Sequence, residues 1–121
     1  MEPHAILTEQ PVSAKVVVAE DPFISNFLRT VLQRRGHKVV IGEAHHASEM
    51  IRTGTIAADV VITNTPDAFL LVAGKLPLLY IAANPDPELA TKFPLCRVLR
   101  KPFRNEDLVE AVEDLAHCVV P

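Results

Sequence analysis

The stretch KVVVAEDPFISNFLRTVLQRRGHKVVI, residues 15–41, decides the fold. It opens and closes on short β-branched runs, Val16-Val17-Val18 and Val39-Val40-Ile41, each long enough for a strand. Between them Phe23, Ile24, Phe27, Leu28, Val31 and Leu32 recur at spacings of three and four. That period predicts a helix from Phe23 to Arg35 with one apolar face, and Gly36 is placed to stop it. Strand, helix, strand is a crossover unit, and it sets two strands parallel.

The alternation continues to the end of the chain. A helix is predicted over Ala47–Thr53, strands over Val60–Ile62 and Leu78–Ile81, a short segment over Ala68–Ala73, and a stub over Glu88–Lys92. A fifth strand follows at Arg97–Arg100 and a last helix over Leu108–Cys118, with Asn105 as its N-cap and Glu106 and Asp107 at its positive end. That helix should bury Leu108, Val109, Val112, Leu115 and Ala116. Strands one, three and four are continuous apolar runs, as a parallel sheet covered on both faces requires. The predicted architecture is α/β, a doubly wound three-layer sandwich on a five-stranded parallel sheet. Its third and fourth helices are short. Only the segment Thr65–Lys75 separates Asn64 from Leu76, and Pro85, Pro87 and Pro94 interrupt the later connection. Residues 1–14 read as a flexible N-terminal arm and residues 15–121 as the domain.

With 121 residues, 49% of them hydrophobic, the chain can bury one core and no second domain. Twelve Lys and Arg against fifteen Asp and Glu leave a net charge of -3, which supplies no field for a phosphate backbone or an anionic lipid surface. Neither nucleic acid nor membrane is an expected partner. Two cysteines, Cys96 and Cys118, make neither a disulfide framework nor a zinc site. The start, Met1-Glu2-Pro3-His4, lacks the basic-then-apolar layout of a signal peptide, and no apolar run approaches the ~20 residues of a bilayer span. A cytoplasmic location is expected.

In open parallel sheets, ligands and chemistry gather beyond the carboxyl ends of the strands. Those ends carry Ala19-Glu20-Asp21, Thr63-Asn64-Thr65, Ala82-Ala83-Asn84 and Lys101-Pro102-Phe103. Two acids, Glu20 and Asp21, and one cation, Lys101, therefore converge around the neutral Asn64. An ion pair between loops is the expectation for them rather than a metal centre, because a hard cation needs more negative charge. His45 and His46 beside Glu43 read as solvated loop histidines, and His117 and Cys118 as capping and packing groups. No nucleophile–base order falls at the strand ends, so no enzyme is expected. A flavin or nucleotide site, as in other sheets of this type, is the alternative. It would want a Gly- or Ser/Thr-rich loop after strand one, where Glu20-Asp21-Pro22 instead presents negative charge.

Five pieces in order carry a resemblance: Val16-Val17-Val18-Ala19-Glu20-Asp21-Pro22, Arg35-Gly36-His37, Ala58-Asp59-Val60-Val61-Ile62-Thr63-Asn64, Pro77-Leu78-Leu79-Tyr80-Ile81-Ala82-Ala83 and Arg100-Lys101-Pro102-Phe103. From about Lys15 to Ala116 the chain resembles the response-regulator receiver domain, CheY-like and flavodoxin-like in fold. The resemblance implies strand order 2-1-3-4-5. It also implies a site at which a histidine kinase phosphorylates an aspartate, assisted by magnesium, an acidic pair and a lysine. Here Asn64 matches the phosphoacceptor, Ala19 and Glu20 the acidic pair with Asp21 adjacent, and Lys101 the lysine. The hydroxyl and aromatic switch positions are matched by Ala82 and Val98. A neutral amide cannot form an ordinary acyl phosphate. The expectation is a degenerate receiver, a pseudo-receiver of two-component-type signalling, that binds magnesium weakly or not at all and acts by phosphorylation-independent protein–protein interaction. Its partner would be a histidine kinase or another signalling protein, with a homodimer through strand five and the last helix as a further expectation. Arg97, Arg100, Arg104 and Lys92 would form a basic rim there. A shifted acceptor, Asp67, is the alternative within the same family.

Overall fold

In the computed structural model, which describes residues 13–117, five strands form one parallel sheet: β1 (Lys15–Ala19), β2 (Lys38–Ile41), β3 (Val60–Thr63), β4 (Leu78–Ala82) and β5 (Cys96–Arg100). Their order is β2-β1-β3-β4-β5. Side chains alternate across a strand, so each run of valines feeds two cores. On one face Val16, Val18, Val60, Ile62, Leu79 and Ile81 meet α1 (Pro22–Arg34) and α4 (Asn105–Ala116) through Leu28, Leu32, Leu108, Val112 and Leu115. On the other, Val17, Val61, Leu78 and Tyr80 meet Phe69, Val72, Leu76 and Phe93. This second layer is thin. It holds α2 (Ala44–Arg52), a 3-10 helix (Pro66–Val72) and the four-residue α3 (Pro87–Ala90). The doubly wound sandwich and the two shortened connections are as the sequence predicts.

Several local expectations need correction. Phe23 and Phe27 are 82% and 41% exposed, so the buried face of α1 is narrower than its apolar stripe. It runs through Ile24, Ser25, Leu28 and Leu32, and the two phenylalanines lie together on the flank, one turn apart. Asn105 is the first residue of α4 rather than its cap. Arg104 holds the cap position and makes no side-chain capping bond there. The second helix starts at Ala44, because the Glu43 carboxylate accepts from the backbone N–H of His45 at 3.0 Å and of His46 at 2.9 Å. His45 and His46 are therefore exposed first-turn residues, not loop residues. Those same two bonds hold the Glu43 carboxyl below its usual range. Residues 1–12 of the expected arm and Cys118 lie outside the described residues. Ala14, assigned to that arm, is buried in the core.

Candidate functional site

Parallel pairing brings the strand ends into line. Ala19 is level with Thr63, Thr63 with Tyr80, and Ala82 with Arg100. Glu20, Asn64 and Lys101 each stand one residue past such an end, which is why residues far apart in sequence share one rim. The Lys101 backbone N–H donates to the Ala82 carbonyl at 2.9 Å, and the Lys101–Pro102 peptide is cis.

Glu20 turns inward. Its side chain is fully buried, and Oε2 lies 3.1 Å from Lys101 Nζ. That ammonium is close but poorly aligned, leaving Oε2 without a well-formed hydrogen bond. Oε1 accepts from the Asp21 N–H at 3.2 Å. Breaking this pair would strand a buried charge, which is far more costly than losing a surface ion pair. Asp21 turns the other way. It is exposed and caps α1, its Oδ1 accepting from the Ile24 N–H at 3.1 Å. Of the two acids, only Glu20 thus turns toward Lys101. Ser25, buried one turn into α1, donates to the Glu20 carbonyl at 3.0 Å and fixes the loop from below. Sequence reasoning passed over Ser25, although a lone hydroxyl on an apolar stripe was the available signal.

Asn64 is exposed. Thr63, fully buried, holds its backbone in place: Thr63 Oγ1 donates to the Ala19 carbonyl at 2.9 Å and accepts from the Thr65 N–H at 3.0 Å. No side chain next to Asn64 is a base. Asp67 sits exposed in the first turn of the 3-10 helix, and Asp59 lies at the far end of β3, where its Oδ2 accepts from the Lys15 N–H at 2.8 Å. Ala82 offers the rim no hydroxyl. Val98, level with Tyr80 on the edge strand β5, is 46% exposed. Burial pushes the Cys96 thiol up, away from the reactive thiolate.

This donor set does not fit a magnesium ion. One carboxylate already engaged by an ammonium, a neutral amide and a methyl group supply too little negative oxygen for a hard divalent cation. Among the described residues no group of three or more His, Cys, Asp or Glu is placed to hold a metal, and no helix is long and apolar enough to cross a membrane.

The cations of the expected basic rim are partly neutralised. Arg97 bonds Asp114 at 2.8 Å and Arg104 lies 3.6 Å from Asp107, both acids on α4. Arg100 and Lys92 make no ion pair among the described residues. A second network escaped the sequence entirely. The buried His37 and the exposed Arg35 both engage Glu113 of α4, and the Arg35 guanidinium, ahead of His37, holds the Glu113 carboxyl below its usual range.

No family model matches the sequence, and no curated protein matches it in sequence. Solved structures do match in fold. The chain is similar to a response regulator receiver protein from Burkholderia phymatum at a TM-score of 0.72 and 21% identity, over 90% of this chain and 99% of that one. It is similar to a chemotaxis response regulator of Vibrio cholerae at a TM-score of 0.69 and 21% identity, over 86% and 99% of the two chains. A response regulator receiver protein from Sinorhizobium medicae gives a TM-score of 0.71 at 19% identity, over 88% and 96%. The fold is that of response-regulator receiver domains.

Proposed function

We propose that this chain is a receiver-type domain of two-component signalling that works without phosphorylation, as a non-enzymatic protein–protein interaction module in the cytoplasm. One observation carries the reading. The neutral Asn64 follows the end of β3, on the same rim of strand ends as the buried Glu20, whose carboxylate lies 3.1 Å from the Lys101 ammonium. The amide is a poor nucleophile, and the lysine that would meet an added phosphoryl group already lies against an internal carboxylate. A nucleotide reading is disfavoured because the Asp21 carboxylate occupies the N-terminus of α1, where a phosphate would sit.

The partner is a signalling protein, a histidine kinase being one candidate. The half-exposed Val98, with Arg100 two residues on and Lys92 before the strand, neither in an ion pair among the described residues, gives β5 an apolar centre with a residual basic margin, suited to an acidic protein surface or to a second copy presenting the acids of α4. Affinity capture from the native cell tests the proposal, comparing the wild type with and without magnesium and acetyl phosphate and with Asn64→Asp. The same partners should be recovered under all three conditions. Recovery only after phosphodonor treatment would overturn it.

A further inference from the structure

His37 is fully buried, yet both of its ring nitrogens are used. Nδ1 accepts the backbone N–H of Ala14 at 3.1 Å. An accepting nitrogen carries no proton, so the ring's proton sits on Nε2, which donates to Glu113 Oε2 at 3.0 Å. Two further bonds join the same segments: the Lys38 N–H donates to the Ala14 carbonyl at 2.9 Å, and Ser13 Oγ donates to the Gly36 carbonyl at 2.9 Å. The ring thus fastens three pieces together: the entry into β1, the turn from α1 to β2, and α4.

We propose that His37 is a proton-sensitive clasp, and that adding a proton to Nδ1 releases Ala14 and loosens the entry of β1 while the sheet stays intact. A protonated Nδ1 sets one N–H against another, so the bond to Ala14 must open. The bond to Glu113 does not open, because that carboxyl stays ionised well into the acid range. The groups that face the ring set the balance. Glu113, from α4, presents negative charge to the ring, and Arg35, from the end of α1, presents positive charge while sharing Glu113 at 3.1 and 2.9 Å; burial of the ring works against a charge on it. Lys38 is exposed on β2, and His117, one turn beyond Glu113, turns its own Nδ1 to the Glu113 carbonyl at 3.1 Å. The charged ring therefore keeps its anchor on α4 and loses only its hold on the first strand.

The test follows the His37 ring nitrogens and the Ala14 amide of the full chain by NMR in a series of falling pH, from about pH 7.5 to the point at which β3 itself opens. Exchange of the Ala14 amide, corrected for its intrinsic pH dependence, should speed up by roughly tenfold, as loss of a bond of ordinary strength implies. It should do so in step with proton uptake at Nδ1, while the amides of β3 keep their protection. His37→Asn places an oxygen that can accept from Ala14 but cannot titrate, and it should abolish the pH dependence. Glu113→Gln should move the change to lower pH. Should His37→Asn fail to fold, the wild-type titration still decides. Ala14 staying protected across the interval, or opening together with β3, would overturn the clasp.

Discussion

Asn64 and Glu20 differ in what a substitution would do, because one side chain is in solvent and the other is buried against an ammonium. The same contrast runs through the chain and is measurable. Leu28 is fully buried between α1 and the sheet, and Leu28→Ala should cost about 2–5 kcal/mol in urea unfolding. Phe23→Ala, on the exposed flank of the same helix, should change stability by no more than about 0.5 kcal/mol. The apolar spacing of the sequence treats the two residues alike. Period locates a stripe but not its edge, and the edge is set by how α1 leans on the sheet, which is tertiary information. Glu113 gives a pH-dependent case. Its carboxyl is held down in the fold by Arg35 and then by His37, so it stabilises above the unfolded carboxylate range and loses that contribution as pH falls through the depressed folded value. Glu113→Ala should cost about 1–3 kcal/mol near neutrality, chiefly because the buried His37 Nε2–H loses its acceptor. In a pH series of urea midpoints, the gap between wild type and Glu113→Gln should close as pH falls through the depressed Glu113 value; a gap that persists once that carboxyl is protonated would contradict the assignment.

At the level of elements, the strand–helix order was readable because valine runs and a 3.6-residue period are local signals, and the shortened connections followed from prolines and segment length. Helix starts were less readable. The caps at Asp21 and Glu43 depend on which backbone N–H a carboxylate reaches, whereas Asn105, a good cap by type, falls one residue inside its helix. The assignment of Asp21 has a clean test. As a cap it should tolerate Asp21→Asn, since asparagine accepts the same Ile24 N–H, while Asp21→Ala should cost about 0.5–2 kcal/mol. A carboxylate needed by the pocket would lose function in both variants. β5 is the edge strand and the helix before it is a four-residue stub, and Val98 is left 46% exposed. Arg100→Glu together with Lys92→Glu should weaken partner binding and flatten its salt dependence without moving Tm, since neither cation makes an ion pair among the described residues. Arg97 is a poor probe of the same surface, because reversing it also breaks the bond to Asp114.

For the whole molecule, sheet order places Glu20, Asn64 and Lys101 on one rim, and the sequence named all three from their positions at strand ends. What it could not supply was their state. That Glu20 faces inward, fully buried and paired with Lys101, while the adjacent Asp21 faces out, depends on the turn into α1 rather than on residue type. Placing a carboxylate on the rim by Asn64→Asp should therefore not create a switch. The new charge meets an occupied lysine, Ala82 adds no hydroxyl, and Val98 has no ring to reorient, so no two-state element is biased. Chemical-shift changes in that variant after phosphodonor treatment should stay at the rim and not reach α4. The most direct measurement on the unaltered chain is its intact mass after incubation with magnesium and acetyl phosphate or phosphoramidate. An unchanged mass is the predicted result; a stable added phosphoryl group, mapping to Asp67 or to any other residue of the rim, would contradict a phosphorylation-independent domain.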